Sequence, residues 1–283
     1  MEIIRSKTPV LQPRLIPVEH DLRHSILELK NVTVRFNGTL ALDDVSFVLQ
    51  TGERVAVIGP NGAGKSTLFN VISGVLSPTQ GRANIYGHRP GRHICIAYVP
   101  QRSQVDWNFP VNVADVVMMG RVRKMGLFGW PKHKDWDYVH NALELVGMDH
   151  LSGRQIGELS GGQQQRVFIA RALAQEAELM LMDEPLTGLD VKSQEDIFAI
   201  LDKLRQLQVT VLVATHDLNL AAERFDRLML INRKIIGFGR AKDVFTAELL
   251  STAYSGSMRL IETPSGTVFI SDTCCGGGDH AHG

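Results

Sequence analysis

The sequence predicts an α/β fold: a mostly parallel sheet, a β region ahead of it, and a helical subdomain inserted into it. Three observations carry this. The apolar runs in "RVAVIG", "ELMLMDEP", "TVLVATHD" and "DRLMLIN" are short and continuous, like strands buried on both faces. Helical stretches such as "SQEDIFAILDKLRQL" separate them, and strands alternating with helices imply parallel pairing. From about Gln101 to Glu158 the β pattern gives way to a helical period with Trp, Met and Phe in quantity.

Taken in order, residues 1–24 read as an extended or disordered extension punctuated by Pro9, Pro13 and Pro17. "SILELKNVTVRF" alternates apolar and polar positions and is rich in β-branched valine, as a strand should be. "LDDVSFVLQTGERVAVIGP" continues the β pattern through a turn at Thr51-Gly52. The main domain is expected over 25–240, with the helical subdomain over about 102–158. Residues 241–270 have mixed β-like character, and 271–283 form a glycine-rich tail of low complexity.

Composition limits the functional classes. Thirty Lys and Arg balance thirty Asp and Glu, so the basic excess of a nucleic-acid binder is missing. The apolar runs are far shorter than the roughly 18 to 20 residues of a membrane span. The N-terminus lacks the apolar core of a secretory signal. The three cysteines do not form a disulfide framework, which points to a reducing compartment.

The clearest chemistry lies in "GPNGAGKST", Gly59, Pro60, Asn61, Gly62, Ala63, Gly64, Lys65, Ser66 and Thr67, between a strand and a helix. This is the context a phosphate-binding loop requires. Its glycines let backbone N–H groups turn toward phosphate oxygens. The Lys65 ammonium reaches the β- and γ-phosphates, the Ser66 hydroxyl can ligate Mg²⁺, and the following helix offers its positive end. "LMLMDEP" puts Asp183 and Glu184 at a strand end, where the first carboxylate holds Mg²⁺ and the second can polarise an attacking water. His216 closes "TVLVAT" and reads as a switch residue near the γ-phosphate. Gln101, ending "IAYVPQ", can ligate Mg²⁺ or orient water through its amide.

These motifs together resemble the ATP-binding subunit of an ABC transporter. The phosphate loop, "YVPQ", "LSGGQ" (Leu159, Ser160, Gly161, Gly162, Gln163), "LMLMDEP", "TGLD" ending at Asp190, and "ATHD" follow in that family's order across roughly residues 26–240. The resemblance implies a P-loop ATPase core with an antiparallel N-terminal β region, and ATP and Mg²⁺ as cofactors. It implies a homodimer in which "LSGGQ" binds the γ-phosphate of the ATP held by the other copy. The physics is compatible: Ser160 and the N–H groups of Gly161 and Gly162 are expected just ahead of a helix, whose N-terminus favours negative charge. A helix cap alone needs one serine and not two following glycines. Phe36 falls where the family stacks an aromatic on adenine, although a place in the core is equally compatible.

The segment "VPQRSQVDWNFPVNVADVVMMGR" is similar to the manganese and zinc (sometimes iron) uptake branch of bacterial importers. That likeness implies integral membrane permease subunits, a solute-binding protein upstream, and a place at the cytoplasmic face of the membrane. "HDLNLAAERFDR" is also similar to importers of siderophores, haem and cobalamin, and a soluble non-transport ATPase of the same family is the competing class. Most of the Trp, Phe and Met residues of the inserted region are expected in its core. An exposed minority around Trp107–Phe109 and Met118–Met119 would form a docking patch. In the tail, Cys274, Cys275, Asp279, His280 and His282 have the right chemistry for Zn²⁺ on a floppy segment, so a metal-buffering role and plain disorder both stay open.

Overall fold

The computed structural model describes residues 25–90, 95–126, 129–254, 258–263 and 266–271. The N-terminal extension and the Cys/His ligands of the tail lie outside the described residues.

Strand β1 (Leu27–Phe36) and β2 (Thr39–Leu49) form an antiparallel hairpin closed by Asn37-Gly38. Strand β4 (Gln80–Ile85) pairs antiparallel with β1 on its other side, giving the three-stranded order β2-β1-β4. This is the antiparallel region that the family resemblance implies. The main sheet contains β3 (Arg54–Ile58), β5 (Ile96–Val99), β6 (Leu179–Asp183), β7 (Thr210–Thr215), β8 (Arg227–Asn232) and β9 (Lys234–Gly239). Its order is β5-β6-β7-β3-β8-β9, with every neighbouring pair parallel except the edge pair β8–β9.

The continuous apolar runs have the expected cause. Along β3, Val55 and Val57 enter one hydrophobic cluster while Ala56 and Ile58 enter the other. Leu179 and Leu181 against Met180 and Met182 repeat this on β6, as do Leu212 and Ala214 against Val211 and Val213 on β7. With side chains alternating from face to face, a strand covered on both sides has no polar position to fill. One cluster lies under the β1–β2–β4 sheet and helix α1 (Lys65–Ile72); the other is shared with the inserted helices.

The inserted region holds α2 (Val113–Met118), α3 (Val122–Met125) and α4 (His133–Leu145), with α2 and α4 packed on α5 (Gly161–Ala174). It is less helical than its period predicts: residues 101–112 contain only one 3-10 turn, Arg102–Gln104. Asn112 explains the late start of α2, because its side chain caps the helix by accepting from the Asp115 N–H at 2.8 Å. Helix α6 (Val191–Gln206) connects β6 to β7, and α7 (Leu218–Arg224) connects β7 to β8. The β-like reading of 241–270 holds only for its second half. Ala241–Val244 (α8) and Ala247–Tyr254 (α9) are helices, α9 burying Leu250 and Ala253, and a β10 (Met258–Thr263) and β11 (Gly266–Ser271) hairpin follows.

Candidate nucleotide site

Four neighbouring parallel strands, β5, β6, β7 and β3, end where the sequence predicts chemistry. Gln101 follows β5, Asp183 and Glu184 close β6, His216 follows β7, and Gly59 follows β3. In an open α/β sheet ligands bind at the carboxyl ends of the strands, so motifs scattered through the chain converge on one edge.

The loop after β3 fits a phosphate. Gly64 sits at φ +97° as the residue before α1, and a Cβ there would lie 2.6 Å from the Ala41 carbonyl oxygen of β2. No side chain caps α1, so its first N–H groups are presented to the loop's interior. A side chain at Gly62 would meet nothing within 4 Å, so the loop's outer side is open. Lys65 is only 7% exposed, and its ammonium donates to the carbonyl oxygens of Gly59 at 2.7 Å and Pro60 at 3.0 Å. Burial holds its pKa below the usual 10.5 of a lysine, opposed by the nearby Glu184 and Asp183 carboxylates.

Oxygen donors cluster beside this cation. The Ser66 hydroxyl and the Tyr98 phenol both donate to Asp183 Oδ2 at 3.1 Å. A hydroxyl and a carboxylate placed together are hard donors of the kind Mg²⁺ takes. Tyr98 was not singled out from the sequence, although it lies inside "YVPQ" and two residues before Pro100. Burial, then the charge and hydrogen bond of Asp183, push its phenol well above its ordinary value of 10.

Glu184 is one of eight described non-glycine residues with a positive φ, and among them the one at the end of β6. Its φ is +47°, the left-handed region, and its N–H donates to the Ala214 carbonyl of β7 at 3.0 Å. That bond turns the chain as β6 ends and aims the carboxylate along the strand edge. Its Oε2 accepts from the Gln101 amide at 2.8 Å and from the Thr187 hydroxyl at 3.3 Å, while His216 Nδ1 stands 3.6 Å from Oε1. Gln101, Glu184, Thr187, Arg102 and Trp107 line a cleft of about 370 Å³. A strained residue whose carboxylate is held by its neighbours is characteristic of a working group.

The remaining predicted residues lie elsewhere. Phe36 ends β1 and is 50% exposed, so it is not core; the hairpin that carries it also presents Ala41 to Gly64. Ser160 is exposed and caps α5 in a reciprocal capping box with Gln163: the Gln163 N–H donates to Ser160 Oγ at 3.3 Å, and the Ser160 N–H donates to Gln163 Oε1 at 2.9 Å. Leu159 is buried just ahead of it. Helix α5 begins at Gly161, so both glycines lie inside the helix and not before it. Gly162 also has a packing cause within the subunit, since a Cβ there would come 2.4 Å from Ser193 Oγ at the start of α6. Asp190 caps α6 through the Ser193 N–H and hydroxyl, both at 2.9 Å, and the bond from that N–H holds its carboxyl below the ordinary value. The expected docking residues divide: Phe109 and Met119 are exposed, Met118 is buried in the core, and Trp107 packs edge-on against Phe168 at 5.3 Å.

The ABC transporter family profile matches residues 42–187. The chain is 45% identical over 251 residues to the chelated iron transport system membrane protein YfeB of Yersinia pestis, covering 87% of this chain and 84% of that one. It is 44% identical over 237 residues to the manganese transport system ATP-binding protein MntB of Bacillus subtilis (strain 168), covering 83% and 95%. Among solved structures, a dimeric ATP-binding cassette in a post-hydrolysis state with ADP and Pi superposes with a TM-score of 0.65 at 28% identity, over 76% of this chain and 98% of that one. With its strand-end motifs in place, this chain belongs to the ABC transporter family as an ATP-binding subunit that hydrolyses ATP.

Proposed function

We propose that two copies of this chain close on two ATP molecules and drive uptake of a transition metal ion, manganese or zinc, through integral membrane permease subunits supplied by a solute-binding protein. The observation that carries the ATPase chemistry is the convergence of Lys65, Ser66, Asp183, Gln101 and Glu184 at the ends of adjacent strands. The metal reading rests on relatives such as the manganese ATP-binding protein, with which this chain shares nearly its whole cassette. The dimer is supported by the similar cassette that is dimeric with ADP and Pi.

In this mechanism the Lys65 ammonium leaves its two backbone carbonyls for the β- and γ-phosphate oxygens, joined by the N–H groups of residues 59–67. Ser66 and Asp183, with Gln101 once it releases Glu184, are the residues that would hold Mg²⁺. When bound, that ion would supply positive charge to the β- and γ-phosphate oxygens. Phe36 is free to stack on adenine. The Glu184 carboxylate orients a water whose oxygen attacks the γ-phosphorus as the bond to the β–γ bridging oxygen breaks, giving ADP and phosphate. Gln101 and His216 flank that carboxylate and sense the γ-phosphate. Ser160 and the first N–H groups of α5 would meet the partner's ATP, with Asp190 beside the same interface. Closing and reopening of the pair would move the permease.

The chelated-iron relative supports a second reading, import of an iron chelate. Reconstitution with the permease subunits in proteoliposomes separates the two. Uptake of free Mn²⁺ or Zn²⁺ that needs ATP and is lost in Glu184→Gln is expected. Uptake confined to an iron chelate transfers the assignment to the second reading.

A further inference from the structure

We propose that the surface formed by Met119, Val122, Arg123, Trp130, Lys132 and Lys134 binds anionic lipid headgroups. Trp130 is 86% exposed, Val122 52% and Met119 46%, while most large apolar side chains among the described residues are buried, and Trp130 is the most exposed of the large apolar exceptions among them. Met119 and Val122 are three residues apart on consecutive helical turns and so share a face. Gly129 brings the next residue, Trp130, to the end of α3: its N–H donates to the Gly126 carbonyl at 3.2 Å, and a Cβ on it would lie 2.1 Å from the Met125 carbonyl oxygen.

Both ends of the excursion are pinned at one buried carboxylate. Arg121 Nε donates to Asp135 Oδ1 at 3.1 Å, and the Lys132 N–H donates to Asp135 Oδ2 at 3.0 Å. Arg121 is anchored further by the Ala174 carbonyl and Glu176, each at 2.8 Å, with its guanidinium 4.0 Å over the Tyr138 ring. Arg121 and Lys132, on either side of the tryptophan in sequence, are both anchored.

Charge selects the occupant. The chain has zero formal net charge, yet every ionisable residue from Val122 to Lys134 is basic. Arg123, Lys132 and Lys134 are exposed, while Lys124 is taken up by Glu176. Asp135 is buried against Arg121, and the next acid, Asp137, is exposed and stands 3.4 Å from His133. Amphipathic indole among exposed cations suits a bilayer surface, where the ring sits at headgroup level and the cations meet anionic phosphates.

The test uses the purified full chain and vesicles of phosphatidylcholine, with or without phosphatidylglycerol. Co-sedimentation with the anionic vesicles, weakened by salt and accompanied by a blue shift of tryptophan emission, is expected. Lys132→Gln and Lys134→Gln should each weaken binding about fivefold. Trp130→Ser should abolish the blue shift while the melting curve and vesicle-free ATP turnover stay unchanged. Equal binding to neutral vesicles, or binding indifferent to all three substitutions, overturns the proposal. So does binding that appears only when permease subunits are in the bilayer, which assigns the surface to a protein. Loss of lipid binding leaves the ATPase reading standing, because the substituted residues lie outside the nucleotide site.

Discussion

Glu184 is held in a conformation that L-residues avoid, at φ +47°, by its bond to Ala214 and by the Gln101 amide on its carboxylate. Such strain costs on the order of 1–3 kcal/mol. Glycine adopts this φ freely, so Glu184→Gly should raise stability by about 1 kcal/mol, or about 2–4 °C in melting temperature, while ATP hydrolysis is lost. Lys65 gives a pH prediction. Its folded pKa lies below 10.5, so between the two values the unfolded chain binds more protons and stability rises with pH. Nucleotide binding runs the other way, since phosphate needs the protonated ammonium. ATP affinity, measured by calorimetry, should fall as pH climbs toward 10.5, and Lys65→Arg should flatten that fall. The residues of this site were legible because Gln101, Asp183, Glu184 and His216 stand at or just past the ends of apolar strands, and Lys65 and Ser66 stand in the glycine-rich run after β3. Tyr98 and Thr187 were not, because their roles arise from contacts to Asp183 and Glu184 that folding alone creates.

At the scale of elements, the junction of α5 and α6 shows why paired glycines are ambiguous in sequence. They read as a phosphate-facing feature, yet Gly162 is also where the starts of two helices meet at Ser193. Gly162→Ala should destabilise the fold by about 1–3 kcal/mol through overpacking. Combined with Ser193→Gly it should recover part of that loss, since the two sites share one contact, and chemical denaturation of the four forms measures the coupling. A purely additive result would remove the packing cause. The central strands were legible for a related reason: burial on both faces leaves a continuous apolar run. The start of α2 and the helices α8 and α9 were not. The first is set by the Asn112 cap, and the other two are only four and eight residues long, too short for a period to stand out.

For the whole molecule, the central claim is that each ATP is shared between two copies. The "LSGGQ" stretch of one chain exposes Ser160, and the phosphate loop follows β3, beside the ends of β5, β6 and β7, with an open side at Gly62. Among the described residues no helix is long and apolar enough to cross a membrane. The most direct test is the mass of Glu184→Gln in solution with saturating ATP, measured by analytical ultracentrifugation with and without Ser160→Arg. The single variant should bind ATP, turn over about 10²–10⁴-fold more slowly than the unaltered chain, and sediment as a dimer. Adding Ser160→Arg should return it to a monomer that still binds ATP. A Glu184→Gln chain that stays monomeric with ATP bound and hydrolyses it at the normal rate would contradict the account.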